Sequence, residues 1–243
     1  HFFKSKNEVN IISPNEYTKI LNFLPGSEDI LIYENDKVKC ENAFKKADVV
    51  FTLDFNSLSR ARNLSSLISS SSAMTIMIDH HENPDNYADL TISNSKMSST
   101  CEMVYDFICS IDKSKIDNKI ATCIYTGIVA DTGSFRFPST TSKTLKVGSE
   151  LINYGVNVTE IFEKLHNNFQ FKRLKLLGSA INNFKKIEGL PVVYTSITDK
   201  DQKVNDFKKG DSEGFVNFGL SVADILCSVL FIEKKDEGLI KIS

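Results

Sequence analysis

Short apolar runs rich in β-branched residues alternate along the chain with amphipathic stretches of helical period. Three of these runs read DILIY, DVVFTL and MTIMI, and amphipathic stretches or polar turns flank each of them. Buried parallel strands read as continuous apolar runs, and helices connect such strands in βαβ units. The pattern therefore predicts an α/β fold built on a parallel sheet.

Two helix starts are predicted by segments that fit a capping box. Ser13-Pro14-Asn15-Glu16 and Ser99-Thr100-Cys101-Glu102 each place a hydroxyl three residues before a carboxylate, and the first has proline at the first helical position. The serine cluster at 65–72 is interpreted as a loop, because small polar residues favour turns.

A second unit is predicted after a long, lysine-rich helical stretch that runs from Val158 to about Lys186 and ends at EGLP. This unit contains the strand VVYTSI, a polar helix near 199–208 and a hairpin that turns at 235–238. We expect a parallel-sheet domain over residues 1–163, a helical linker over 164–188 and a smaller mixed α/β domain over 189–243.

Composition indicates a folded protein with no general attraction to polyanions. The chain has 243 residues, of which 41% are hydrophobic, and 29 basic residues stand against 31 acidic ones, for a net charge of −2. Binding to nucleic acid would therefore depend on a local basic patch. No apolar run reaches the roughly 18 residues that a membrane span needs, so no membrane partner is expected.

The cysteines argue against a thiolate-bound zinc site. Their number, five, is odd, and none stands in the C-x-x-C spacing of a zinc site or redox pair. We interpret them as buried free thiols in a reducing cytoplasm.

Candidate chemistry lies where apolar runs end. Asp54 follows one predicted strand, Asp79, His80 and His81 follow another, and Asp131 ends an apolar helical run before a Thr-Gly-Ser turn. Ligands of open α/β sheets bind outside these strand ends, and an unpaired buried charge is costly, so neither strand-end carboxylate is expected in the core. Carboxylates with imidazole suit Mn²⁺ or Mg²⁺.

A less specific interpretation exists for each of these residues. A single aspartate after a strand commonly caps a helix or forms a turn, and a histidine pair is commonly a surface or packed pair. That interpretation accounts for each acid separately, but it does not account for two histidines beside one of them.

These segments resemble the motifs of the DHH phosphoesterase superfamily. IDHHENPDNYADLTISNSKMSSTCEMVYDFI is similar to its DHH motif and following helix, FTLDFNSLSR to the preceding aspartate motif, and YTGIVADTGSFRFPSTTSKT to the later one. Within the superfamily the likeness is to nanoRNase-type oligoribonucleases. KGDSEGFVNFGLSV and LFIEKKDEGLIKIS resemble the first part of the DHH-associated C-terminal domain.

The resemblance implies a site with two divalent ions about 3.5 to 4 Å apart, usually Mn²⁺, with Mg²⁺ or Co²⁺ as alternatives. It implies that Asp54 bridges the ions, that His80 and Asp131 bind the second ion, and that Asp79 supports them. His81 would then face the substrate phosphate and stabilise its charge or protonate the leaving oxygen.

Substrate contacts are also implied by the resemblance. Arg136 would grip a phosphate, with a structural ion pair as the alternative. Glu213 and Asn217 would contact substrate from the C-terminal domain, across a cleft between the domains; alternatively, Ser212 and Glu213 cap a helix. The expected substrates are very short RNA and 3′-phosphoadenosine-5′-phosphate, cleaved to nucleoside monophosphates. His166 is expected to be packed or to face solvent.

Two motifs of the family fall outside the printed residues. A glycine-containing His/Asp cluster would precede residue 1, and a glycine-rich, histidine-bearing loop would follow residue 243. Asp54, His80 and Asp131 are the clear metal ligands that remain, too few for two ions. Because three motifs are well preserved, we expect a longer native protein rather than a degenerate relative.

Other functions stay open at this point. A cyclic or linear dinucleotide phosphodiesterase of the same superfamily shares these motifs, and a type II inorganic pyrophosphatase is a weaker alternative. A catalytically inactive nucleotide-binding relative is an alternative from a different class. A homodimer is a further expectation.

Overall fold

The computed structural model describes residues 1–4, 6–167, 170–208 and 210–243. The chain forms two compact units, residues 1–167 and residues 168–243. Each unit has its own buried apolar cluster.

The described residues of unit 1 form five short strands, and every pair of neighbouring strands is parallel. β1 pairs with β2, while β4 lies between β3 and β5 in a second sheet. The prediction of a parallel-sheet α/β domain is therefore confirmed. The strands are β1 (Ile11–Ser13), β2 (Ile30–Ile32), β3 (Val49–Leu53), β4 (Met74–Asp79) and β5 (Leu90–Ser93).

Helices connect these strands and then follow them. The α-helices of unit 1 are α1 (Lys37–Lys46), α2 (Ser65–Ser70), α3 (Thr100–Asp112), α4 (Asn118–Asp131), α5 (Ser142–Ile152) and α6 (Val158–Phe162). Short 3₁₀ segments occur at Lys19–Phe23, Ser27–Asp29, Leu58–Leu64 and Lys113–Lys115, and a π-helical turn occurs at Glu163–Asn167. Among the described residues, no helix is both long and apolar enough to cross a membrane.

β4 is the central strand of its sheet and is almost wholly buried. Residues 75–79 are all buried, which explains why this strand reads as a continuous apolar run. Ile78 packs with Met103 of α3 in one apolar cluster, while α3, α4 and α5 share the largest cluster. The core therefore holds the carboxyl end of β4 against the start of α3.

The predicted helix starts have different outcomes. Ser99 caps α3 as expected, with its hydroxyl accepting from the Glu102 N–H at 3.0 Å. The reciprocal bond of the capping box is not formed, because the Glu102 carboxylate accepts from Ser98 and Thr144 instead. The start at Pro14 is wrong, because Ser13 ends β1 and the next helical turn begins at Lys19 after Thr18. The hydroxyl of Ser13 instead donates to the carbonyl oxygen of Asn15.

The composition of the serine cluster predicted a loop, but most of the cluster forms a helix. Residues 65–70 form α2, and Leu64 and Ile68 are buried together in an apolar cluster. Their four-residue spacing places both on one helical face. Burial of that face outweighs the weak helix preference of serine.

Unit 2 has a four-stranded mixed sheet in the order β6-β7-β8-β9, in which β7 and β8 are parallel and the outer pairs are antiparallel. The hairpin predicted at 235–238 is confirmed, with Gly238 at φ 64° in its turn. The elements are α7 (Phe171–Asn182), β6 (Lys185–Lys186), β7 (Val192–Ile197), α8 (Asp199–Val204), β8 (Cys227–Lys234) and β9 (Leu239–Ile242), with 3₁₀ turns at Phe215–Ser221 and Lys235–Glu237.

The single long helix predicted from Val158 to Lys186 is wrong. α6 ends at Phe162, and Gln170 is extended at φ −67° and ψ 145°, so α7 is a separate helix. The part of that prediction at residues 168–169 lies outside the described residues. Leu176 and Ala180 of α7 are buried with strand residues of unit 2, and the assignment of 164–188 as a linker stays a prediction.

All five cysteines are free thiols. Cys40 is buried, whereas Cys227 is exposed, so the prediction of general burial is wrong for Cys227.

Candidate metal centre

Asp54 directly follows β3 and has an unusual backbone conformation. Its φ is 67°, in the left-handed region that aspartate tolerates better than most residues. Its N–H donates to the carbonyl oxygen of Ile78 on β4 at 3.1 Å. Its carboxylate Oδ1 accepts from the Thr100 hydroxyl at 2.7 Å. These two bonds hold a half-exposed carboxylate beside the end of β4.

Asp79 is the last residue of β4 and is completely buried. One carboxylate oxygen accepts from the His81 N–H at 2.8 Å, and the other lies 2.8 Å from His81 Nδ1. The expectation that neither strand-end carboxylate is a core residue is therefore wrong for Asp79. His81 supplies the hydrogen bonds that make burial of this acid tolerable.

The ring of His80 is oriented by a main-chain carbonyl group. Its Nδ1 lies 3.2 Å from the carbonyl oxygen of Met97, and a carbonyl oxygen can only accept, so Nδ1 carries the hydrogen. Nε2 then has a free lone pair when the ring is neutral, and it lies 3.8 Å from Asp54 Oδ1. This tautomer and orientation are those of a metal-binding histidine.

Asp54, His80 and His81 together form a cluster of possible metal ligands. One ligand atom of each lies within 4.8 Å of the others. A carboxylate with two imidazoles fits a divalent transition metal ion, and the outward Nε2 atom of His80 is a suitable donor for it. The donor set therefore fits the ion that the motifs imply.

Asp131 ends α4. Among the described residues, the metal-ligand cluster consists of Asp54, His80 and His81 and does not include Asp131. Packing around its carboxyl group raises the pKa of Asp131, and the negative charge of Asp54 raises the pKa further. The positive charges of His80 and His81 lower it. Asp131 is thus close enough to the cluster for its charge to interact with all three members.

A left-handed turn follows Asp131 and presents Arg136. Gly133, Ser134 and Phe135 have φ values of 54°, 61° and 64°. The Arg136 side chain is exposed, and its Nε donates to the carbonyl oxygen of Gly133 at 2.9 Å. Among the described residues, no hydrogen-bond partner occupies the terminal nitrogens of this guanidinium, so they can face a substrate.

His166 belongs to the same region. Its Nε2 lies 3.2 Å from the hydroxyl of Ser134, and its ring packs against Phe162 with centroids 4.7 Å apart. Burial lowers the pKa of His166, and the positive charge of Arg136 lowers it further. The sequence has no signal for this proximity, because His166 is separated from Ser134 by two helices.

The C-terminal residues with expected substrate roles lie in unit 2. Glu213 and Asn217 are exposed, and the carbonyl oxygen of Glu213 accepts from Arg173 at 2.6 Å. The alternative in which Ser212 and Glu213 cap a helix is wrong. The 3₁₀ turn Phe215–Ser221 follows Gly214 and has no side-chain cap.

A cleft of about 410 Å³ opens beside His81. This volume lies within the ~300–1,000 Å³ range of small-molecule sites. Its lining is polar and consists of His81, Glu82, Asn83, Pro84, Ser93, Asn94, Ser95 and Lys96.

Comparison with known proteins places this geometry in a family. Residues 3–128 match the family described as the DHH family, N-terminal domain. The bifunctional oligoribonuclease and PAP phosphatase NrnA of Bacillus subtilis is 34% identical over 171 residues, which are 69% of this chain and 53% of that protein. The protein of the same description from Thermus thermophilus is 32% identical over 167 residues, 68% of this chain and 48% of that protein.

A solved structure has the same fold. The exopolyphosphatase-related protein from Bacteroides fragilis superimposes with a TM-score of 0.95 at 36% identity, covering 100% of this chain and 71% of that one. The chain spans about half the length of the NrnA relatives it matches. Since the family match covers more than half of its residues and includes every member of the metal-ligand cluster, the chain belongs to the DHH family.

Proposed function

We propose that the protein is a metal-dependent phosphoesterase that hydrolyses very short RNA and 3′-phosphoadenosine-5′-phosphate to nucleoside monophosphates. The observation that carries this proposal is the meeting of Asp54, His80 and His81 at the carboxyl ends of β3 and β4. The similarity to proteins described as oligoribonuclease and PAP phosphatase supports the choice of substrate.

Asp54, His80 and Asp131 would hold divalent ions, with Mn²⁺ as the proposed metal and Mg²⁺ or Co²⁺ as alternatives. The bound ions would supply a polarised phosphoryl oxygen and a water molecule of lowered pKa. One carboxylate oxygen of Asp54 is bonded to Thr100, and the other has no hydrogen-bond partner in the part of the chain that the structure describes. Its exposed side chain is therefore available to such ions.

His81 would act on the substrate phosphate. Asp79 holds its Nδ1 at 2.8 Å, which keeps the hydrogen on that atom and directs Nε2 away from the core. In the doubly protonated ring Nε2 carries a hydrogen as well, and the Asp79 carboxylate faces the opposite nitrogen. His81 can then donate a proton from Nε2 to the leaving oxygen, and Asp79 supports that role by fixing the ring.

Arg136 would bind a phosphate group of the substrate. Its guanidinium is exposed and can form paired hydrogen bonds with phosphate oxygens. The cleft beside His81 has polar walls that suit a nucleotide. Glu213 and Asn217 are proposed to contact substrate from unit 2.

The compartment and assembly are also proposals. Five free cysteines are consistent with the reducing cytoplasm. A homodimer stays a prediction.

The test is hydrolysis of dinucleotides and 3′-phosphoadenosine-5′-phosphate by the full-length protein, before and after EDTA treatment. We expect loss of turnover in EDTA, recovery with Mn²⁺, and a loss of several orders of magnitude in Asp54→Asn. Asp48→Asn is the matched control, because Asp48 is an exposed aspartate directly before β3, at the opposite end of the strand from Asp54.

The same assay separates the competing functions. Full activity in EDTA or in Asp54→Asn would show that the proposal is wrong. Binding of 3′-phosphoadenosine-5′-phosphate without turnover at any Mn²⁺ concentration would indicate an inactive nucleotide-binding relative. Faster cleavage of a cyclic dinucleotide than of linear ones would indicate a cyclic-dinucleotide phosphodiesterase.

A further inference from the structure

Thr100 connects the start of α3 to the proposed metal ligand Asp54. Its hydroxyl donates to Asp54 Oδ1 at 2.7 Å, and this same oxygen lies 3.8 Å from His80 Nε2. Thr100 is only 4% exposed, whereas the Asp54 side chain is 56% exposed. A fixed donor therefore contacts a carboxylate that solvent can reach.

The position of Thr100 is fixed by a buried network around Glu102. Ser99 caps the helix through the Glu102 N–H, and Glu102 Oε2 accepts from Ser98 at 2.5 Å and from Thr144 of α5 at 3.0 Å. Glu102 is 1% exposed, so water does not compete for these bonds. The first turn of α3 is thus bonded to α5 as well as to β3.

Among the described residues, Thr100 is the hydrogen-bond donor to the Asp54 carboxylate. The Asp54 backbone lies in the left-handed region, and the Ile78 carbonyl fixes its N–H but not its carboxylate. The Thr100 hydroxyl occupies one lone pair of Oδ1 and leaves the remaining lone pairs of both oxygens for a cation. The bond therefore holds the carboxylate in one orientation in this structure.

We infer that Thr100 is a positioning residue that orients the Asp54 carboxylate for divalent-ion binding. The inference rests on the metal site of the proposed function. Outer hydrogen-bond partners of metal ligands typically contribute about 10- to 100-fold in metal affinity. Asp54 is one of the proposed ligands, so the orientation of its carboxylate would affect any ion that it holds.

A purely structural role makes a different prediction. If the Thr100 hydroxyl only helped to start α3, its removal would lower the melting temperature of the metal-free protein and leave the metal affinity of the folded protein unchanged. If it orients Asp54, removal lowers the affinity of protein that is still folded.

The experiment measures Mn²⁺ affinity of the full-length protein by isothermal titration calorimetry, with free Mn²⁺ followed by electron paramagnetic resonance. Thr100→Val keeps the shape but cannot donate, and we expect a loss of about 10- to 100-fold in affinity. Thr100→Ser keeps the hydroxyl, so its affinity should stay within about threefold of wild type. Thr100→Ala removes the same hydroxyl without adding bulk and replaces the valine variant if that variant does not fold.

Thr126→Val is the matched control. Thr126 is also buried, but its hydroxyl donates to the Thr122 carbonyl oxygen within α4, and affinity should not change. Wild-type affinity in both Thr100→Val and Thr100→Ala would overturn this inference alone. An equal loss in Thr100→Ser and Thr100→Val would also overturn it, because the hydroxyl would not be the cause. Absence of Mn²⁺ binding in the wild type would overturn both the inference and the proposed function.

Discussion

His80 directs its Nδ1 to the carbonyl oxygen of Met97 at 3.2 Å and its Nε2 toward Asp54 Oδ1 at 3.8 Å. The loop between β5 and α3 therefore sets the orientation of a ring that belongs to the end of β4. Since a carbonyl oxygen can only accept, the hydrogen is assigned to Nδ1. His80 can therefore offer Nε2 as its ligand atom to a metal ion.

Substitution of His80 should abolish tight metal binding without unfolding the protein. In His80→Asn we expect Mn²⁺ affinity to fall by at least about 100-fold, because the ligand atom itself is lost. Calorimetric titration with Mn²⁺ measures this effect. His1→Asn is the control histidine, since the His1 ring bonds the Pro25 carbonyl oxygen at 2.9 Å and does not belong to the metal-ligand cluster. Equal affinities in the two variants would mean that His80 is not a ligand.

Asp79→Asn should impair turnover more than metal binding. The amide group can keep the bond to the His81 N–H, but its NH₂ then faces His81 Nδ1 and favours the tautomer with hydrogen on Nε2 of a neutral ring. We expect kcat to fall by about 10²-fold or more, the usual contribution of a positioned acid or base.

Steady-state kinetics on a dinucleotide, with saturating Mn²⁺, measures the effect of Asp79→Asn. Asp89→Asn is the control, because Asp89 accepts from the Thr75 N–H at 2.7 Å and an amide oxygen can replace that acceptor. A kcat equal to that of the control would show that His81 does not act in the chemical step.

Gly127 is required for close packing between α3 and α4. A Cβ at this position would lie 2.4 Å from Sγ of Cys101 and 3.1 Å from its Cβ. Gly127→Ala should therefore reduce the free energy of unfolding by about 1 to 2 kcal/mol, because overpacking exceeds the gain of about 1 kcal/mol in helix propensity. Urea denaturation of the metal-free protein measures this change.

A double-mutant cycle isolates the contact between the two helices. In a Cys101→Ala background, Gly127→Ala should be neutral or stabilising, since the sulfur is gone. Gly178→Ala is the control: Gly178 is also helical, in α7, and a Cβ there meets no atom within 4 Å, so this change should stabilise by up to about 1 kcal/mol. Equal effects in both backgrounds would show that Cys101 does not cause the strain.

The parallel sheet was predictable because its central strand, β4, is buried over residues 75–79 and reads as an apolar run. β3 and β4 are continuous apolar runs, and the polar residues Asp54 and Asp79 mark their carboxyl ends. The cap at Ser99 was predictable for a similar reason, since its hydroxyl bonds a residue three positions away. The specific roles of the site residues stay predictions.

Contacts between distant segments could not be predicted in this way. Thr100 and Asp54 are 46 residues apart, and the pattern around Thr100 indicates only a helix start. Burial of Asp79 depends on the His81 hydrogen bonds, which the same sequence could have made at the surface. α2 forms because tertiary packing buries Ile68, although its serines favour a loop.

The charge of the chain predicts a preference for short substrates. A nuclease for long polymers binds the backbone along a basic groove, because each neutralised phosphate releases counterions and adds affinity. This chain has a net charge of −2. Of its four arginines, Arg173 bonds carbonyl groups of unit 2. The acidic residues offset the basic ones, so the chain offers no net positive charge for such a groove, and most affinity would come from the metals and Arg136.

Dinucleotides to roughly pentanucleotides should therefore be cut much faster per molecule than RNAs of about 20 nucleotides, with a salt dependence that reflects only about one to three phosphate contacts. A length series of 5′-labelled RNAs, assayed with the full-length protein at two salt concentrations, measures both quantities. Arg136→Gln should reduce the slope of log affinity against log salt concentration by the equivalent of about one phosphate contact. Lys45 is exposed on α1, and Lys45→Gln should leave this slope unchanged. Equal rates for long and short RNAs, with binding that collapses steeply as salt rises, would instead require a long basic track and a processive exonuclease.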